Sequence, residues 1–184
     1  MTGNSGVGKS TVCELLKDRG ELAVDADWEG YNHWVDRVSG QAVVDPPYPV
    51  PAGWLDRFGW KIRRTEVETL AAGMHDRTAF MFGAVENEHE VWDLFDLVIC
   101  LVIDNETLRH RLLTRTTNTF GQHPEELAAA LKDNDRAEAT YRRFGATIID
   151  GTRPLAEVAD AILAAAGRLS IADASVPRRS STGD

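Results

Sequence analysis

The chain has 184 residues, 43% of them hydrophobic, enough for one domain with a full core. A formal net charge of -9 and a pI near 5.0 leave no field to attract a polyanion, so no nucleic-acid or membrane partner is expected. Cys13 and Cys100 lie in apolar runs without zinc or redox spacing, and no apolar run could span a bilayer, so a cytoplasmic protein is expected.

In chain order, a glycine loop opens the sequence at residue 3. Val12, Leu15 and Leu16 follow as a helical stripe that ends at Gly20. Glu21 to Ala26 reads as a strand. From Asp27 to about Gly59 the periodicity fails, and Pro46, Pro47, Pro49 and Pro51 block regular structure in its middle. Such long excursions are usually functional. A helix is predicted from Lys61 to Ala72, a strand from Thr78 to Gly83, then a short acidic segment.

Leu97 to Ile103 is apolar and β-branched throughout, as suits a central parallel strand buried on both faces. Asp104 reads better as the cap of the next helix than as a metal-binding carboxylate. Leu108, Arg111, Leu112 and Arg115 share one face of that helix, and Arg111 can simply snorkel along the sheet. A polar loop with Gly121 follows, and Pro124 opens a helix reaching about Phe144. Ala146 to Asp150 is a last strand. Pro154 opens a final helix with Leu155, Val158, Ala159, Ile162, Leu163 and Ala166 on one stripe, closed at Gly167. The domain is therefore 1–166, with a substrate-side excursion at about 27–72 and a lid at about 115–125. Residues 167–184 read as a disordered tail.

Gly3-Asn4-Ser5-Gly6-Val7-Gly8-Lys9-Ser10 fits GxxxxGK[ST], and a helical stripe begins directly after it, as a phosphate-binding loop requires. Backbone N–H groups in such a loop point at phosphate oxygens and the helix N-terminus adds its positive dipole end. Lys9 would reach the β- and γ-phosphates and the Ser10 hydroxyl would ligate Mg²⁺, which makes ATP and Mg²⁺ the expected cofactors. The alternating helices and strands then predict an α/β, three-layer P-loop NTPase fold with helices on both faces of a parallel sheet and a lid insertion. Its first strand is missing or truncated, because only Met1 and Thr2 precede Gly3. The expectation is a native start upstream of Met1, with better stability and ATP binding when those residues are restored.

Asp25 and Asp27 close the second strand two residues apart, where ligands bind to open parallel sheets. One carboxylate can hold the Mg²⁺ water shell and the other can take the proton of an acceptor hydroxyl; a solvated polar turn is the plain alternative. His33, His75, His89, His110 and His123 show no ligand spacing, so surface or core roles are expected.

With these residues in hand, the chain resembles the shikimate kinase and nucleoside monophosphate kinase group of P-loop kinases over residues 1 to 166. The likeness rests on the glycine loop, Asp25-Ala26-Asp27, Arg63-Arg64-Thr65-Glu66, the Arg115 insertion and Gly151-Thr152-Arg153-Pro154. It implies catalytic roles for Lys9, Asp27 and Arg115. It also implies that residues Gly3 to Thr11, with Arg115, Arg153 and Pro154, bind the nucleotide. Asp25, Asp27, Trp28, Arg63 and Arg136 would hold the acceptor, and Ser10 and Asp25 the metal. Where shikimate kinases carry a triple glycine this chain has Phe82-Gly83-Ala84-Val85-Glu86-Asn87, so shikimate is not the expected acceptor. Trp28, Trp34, Trp54 and Trp60, with Tyr31 and Phe58, fall in the excursion, where they suit stacking on a flat ring or form a satellite core. The implied activity is phosphoryl transfer from ATP to a small-molecule acceptor, such as a nucleoside, nucleotide or sugar acid. The alternatives are an ATPase or regulatory switch and a non-catalytic module. Monomer and homodimer are both open.

Overall fold

A computed structural model of the protein describes residues 1–47, 51–74 and 77–174; Pro49, His75 and the last ten tail residues lie outside them. The glycine loop leads into α1 (Lys9–Asp18), and positive φ at Gly20 turns the chain into β1 (Leu22–Asp25). β1 pairs in parallel with β4 (Ala79–Phe82), and β5 (Ile99–Val102) with β6 (Thr147–Asp150). Between these pairs lie Met1 and Thr2. The Gly83 N–H donates to the Met1 carbonyl at 3.1 Å. The Thr2 N–H donates to Ile99, and the Leu101 N–H to Thr2, at 2.8 and 3.0 Å. Two residues thus occupy the first-strand position and join the pairs in the order β1, β4, Met1–Thr2, β5, β6.

Helices cover both faces. α1 packs on β1 and β4 and against α6 (Leu155–Ala174), while α4 (Asn105–Thr114) and α5 (Pro124–Arg143) pack together, with α5 over β5 and β6. The main core gathers Val12, Cys13 and Leu16 of α1 with Phe82, Leu101, Leu108, Leu112 and Ile162, all at 2% exposure or less. Burial pushes both the Cys13 and Cys100 thiols up to about 12. As expected, Asp104 caps α4, its Oδ1 accepting the Thr107 N–H at 2.7 Å.

Three expectations are corrected. The excursion holds an antiparallel hairpin, β2 (Asn32–Asp36) on β3 (Phe58–Ile62), with a short α2 (Trp54–Arg57) between them. Its strands are brief and their partners lie more than twenty residues away, so no local period announces them. The helix predicted from Lys61 starts later, as α3 (Arg64–Ala72), because β3 runs to Ile62. Gly167 likewise does not close α6, which continues to Ala174. A glycine inside a helix costs only about 1 kcal/mol against alanine, and the alanine-rich flanks favour helix.

Candidate functional site

The strand order changes direction at Met1–Thr2, and the glycine loop leaves the carboxyl end of that position, where open parallel sheets bind ligands. Gly3, Gly6 and Gly8 take φ of 130°, 92° and 107°, which curl the loop. At Gly3 there is a second demand, since a Cβ would sit 2.5 Å from the Leu101 carbonyl of β5. The loop and Thr11 line a cleft of about 1760 Å³. Lys9, 9% exposed, folds back to donate to the Gly3 and Asn4 carbonyls at 2.7 and 3.1 Å. Burial lowers its pKa, while the negative charges of Asp27 and then Asp25 oppose that shift.

α4 braces the loop from outside. The Arg111 guanidinium donates to the Val7 carbonyl at 2.9 Å and to Gly151 at 3.0 Å, stitching the loop to the turn after β6. A snorkelling role does not describe this contact, which the leucine stripe around Arg111 concealed. Arg115, at the start of the lid, donates to Ser5 Oγ at 3.2 Å and to the Phe120 carbonyl at 2.5 Å. A Cβ on either Gly6 of the loop or Gly121 of the lid would lie 3.0 Å from Leu112, so one buried side chain separates the two segments.

Of the acidic pair, only Asp27 lines the cleft. β1 ends at Asp25 and the chain turns there, so the alternation of a strand no longer puts both side chains on one face. Asp25 is 4% exposed, and its Oδ1 accepts the Asp27 N–H at 3.1 Å. The Asp27 Oδ1 accepts two donors, Asn32 Nδ2 at 2.6 Å and Trp60 Nε1 at 2.8 Å. Its Oδ2 makes no hydrogen bond among the described residues.

Trp28 stands on the rim, and Arg136 and Arg153 also line the cleft, the latter paired with Glu157 at 3.0 Å. Pro154 does not line it, although Leu155 and Val158 of the same helix do. Arg63 is not brought to the cleft: Ile62 takes the buried position at the end of β3, and the Arg63 guanidinium pairs with Glu66 at 2.6 Å. The aromatic residues divide. Trp34, Phe58 and Trp60 line the cleft, Trp54 packs behind them against Trp34 and Phe58, and Tyr31 joins a second core cluster.

Sequence reasoning missed Glu86, Glu88 and Trp92, which line the cleft from the segment after β4, Glu86 lying against the hairpin with its N–H donating to the Trp60 carbonyl at 3.0 Å. Glu88 accepts the Thr2 hydroxyl at 2.7 Å, and Tyr141 of α5 lies 3.2 Å from the same Thr2 oxygen. The acidic run after β4 was their only signal. Among the described residues no group of three or more histidine, cysteine or acidic side chains could hold a metal ion, and no helix is long and apolar enough to cross a membrane.

A glycine loop at the direction change of a parallel sheet, with a lysine and an arginine-bearing lid around one cleft, defines a P-loop nucleotide-binding protein of the three-layer α/β class. More narrowly, the chain belongs to the AAA domain family, whose pattern matches residues 1–140. It is similar to a dephospho-CoA kinase of Deinococcus radiodurans, 36% identical over 93 residues, which is 47% of this chain and 44% of that protein. The matched stretch thus spans less than half of that relative. A dephospho-CoA kinase of Rhizobium etli is 23% identical over 185 residues, covering 89% of each chain.

Proposed function

We propose that the protein is a kinase that moves the γ-phosphoryl group of ATP to a hydroxyl of a small molecule. The observation that carries this is Asp27, fixed through Oδ1 by Asn32 and Trp60, in the same cleft as the phosphate loop. The relatives, which are kinases by name, favour phosphoryl transfer over a bare ATPase or switch.

In this reading the loop N–H groups and the N-terminus of α1 hold the β- and γ-phosphates, and Lys9 swings from the Gly3 and Asn4 carbonyls onto them. The acceptor oxygen forms a bond to the γ-phosphorus as the bond to the bridging oxygen breaks, ADP leaves, and the acceptor proton passes to Asp27 Oδ2. Arg115, beside Ser5, and Arg136 on the α5 wall neutralise phosphate charge. Arg153 stands where the adenine edge would lie. The available donors suit Mg²⁺: the Ser10 hydroxyl and the carboxylates are hard oxygens, and few protein ligands are needed when phosphates and water complete the shell. Ser10 would bind the ion directly, Asp25 only through water, and the ion would supply charge neutralisation at the phosphates.

The test is ADP release from ATP across nucleosides, nucleotides, sugar acids and ring alcohols. Acceptor-dependent release is expected, with Asp27→Asn lowering turnover about 10²- to 10⁴-fold at nearly unchanged ATP affinity. Lys9→Ala should lose both. Release that ignores every acceptor would point to an ATPase instead.

A further inference from the structure

Resting on the kinase reading, the acceptor branch of the cleft also carries information about the molecule it takes. Trp34 and Trp60 form its wall, their rings 5.1 Å apart and tilted by 56°, with Phe58 beside them. Trp60 also holds Asp27 through its indole N–H, so the proposed base sits at the edge of an aromatic surface. A ring laid on that surface would bring its hydroxyl to Asp27 Oδ2.

Charge narrows the class further. Among the described residues, the hairpin arginine that lines this branch, Arg37, is committed to Glu86: its Nε and Nη2 donate to the two carboxylate oxygens at 3.2 and 2.5 Å. Lys61 adds a contact at 4.0 Å to the same carboxylate. Gly59 makes room for this pair, because a Cβ there would lie 2.6 Å from both Glu86 oxygens. Of the other charges near Asp27, Glu88 is acidic, and Lys9, whose charge interacts with both, is the group given to the ATP phosphates in the kinase reading; Arg63 pairs with Glu66 outside the cleft. Arg136 lines the cleft from α5, as does the acidic Asp133 of the same helix. An acceptor with its own phosphate or carboxylate would meet like charge on this wall, whereas an amine would meet carboxylates and indole faces.

We propose that the acceptor is a ring-bearing alcohol without an anionic group, neutral or amine-bearing, stacked on Trp34 and Trp60 with its hydroxyl at Asp27. Binding and turnover are to be read separately on the full chain. With a non-hydrolysable ATP analogue and Mg²⁺ present, tryptophan fluorescence is titrated with benzyl alcohol, 4-(aminomethyl)benzyl alcohol and 4-(hydroxymethyl)benzoate. Adenosine and adenosine 5′-monophosphate form a second neutral and anionic pair. The neutral and amine-bearing probes are expected to bind at least about tenfold more tightly than their anionic partners. Two variants should shift the preference in opposite directions: Glu86→Gln frees Arg37 and improves the anionic probes, while Arg37→Gln frees Glu86 and favours the amine. Equal or reversed affinities, no binding by any ring, or selectivity unmoved by both variants would overturn the proposal. So would an anionic preference that disappears in Arg136→Gln. Probes that bind in the expected order without any ADP release would instead overturn the kinase reading and leave the ligand class standing.

Discussion

Asp27 and His33 lie six residues apart at the start of the excursion and meet opposite fates. Asp27 has both a pair of donors and an open oxygen, whereas the Nδ1 of half-buried His33 has no partner among the described residues. Burial first, and then the positive charge of Arg63, lower the His33 pKa, with Glu66 and a backbone hydrogen bond at Tyr31 opposing. The folded chain therefore keeps His33 neutral at a pH where the unfolded chain already binds a proton. Stability should fall as pH drops below about 6.5, and His33 should contribute nothing above it. The midpoint of thermal unfolding, followed between about pH 7 and pH 5, is expected to fall less steeply in His33→Gln than in the parent. An equal slope in both would exclude His33 as the source.

Among the elements, α4 bears most directly on the loop. Its last turns present Arg111, Leu112 and Arg115 to the phosphate loop and the lid together. Leu112 is fully buried, so Leu112→Ala should cost about 2–5 kcal/mol in urea unfolding with an unchanged m-value. A loss confined to surface levels, below about 0.5 kcal/mol, would mean that the loop and lid do not lean on this residue. α4 was also legible in the sequence: its cap, leucines and C-terminal arginine lie within a dozen residues and follow helical spacing. The glycine loop was legible for the same reason, because its geometry is written in adjacent residues. The hairpin was not. Trp60 reaches Asp27 across 33 positions, and Arg37 reaches Glu86 across 49, so no window of sequence holds both members of either pair. The Asp25–Asp27 spacing misled for a related reason, since the alternation it relied on stops where the strand stops.

For the molecule as a whole, two residues, Met1 and Thr2, hold the middle of the sheet, and the cleft opens where they end. Strand order, loop position and helical cover are those of a P-loop fold, and residues 1–140 match the AAA domain family. What the sequence could not supply was the division of the cleft into two walls, an arginine-bearing one around the phosphate loop and an aromatic, acidic one on the hairpin. That division arises only once β2 and β3 pair across the excursion. It also separates two measurable quantities, so nucleotide affinity and acceptor selectivity should respond to different substitutions.

The two sealed thiols have a practical use. A maleimide dye needs an accessible thiolate, and Cys13 and Cys100 offer neither access nor ionisation near neutral pH. A cysteine introduced at the half-exposed Leu113, next to Leu112, should therefore take label alone, with no need to remove the natural thiols. Emission from that dye is expected to change when ATP settles on the loop, and to stay constant in the Lys9→Ala background. A parent chain that itself takes up dye would show that one of the natural thiols opens to solvent.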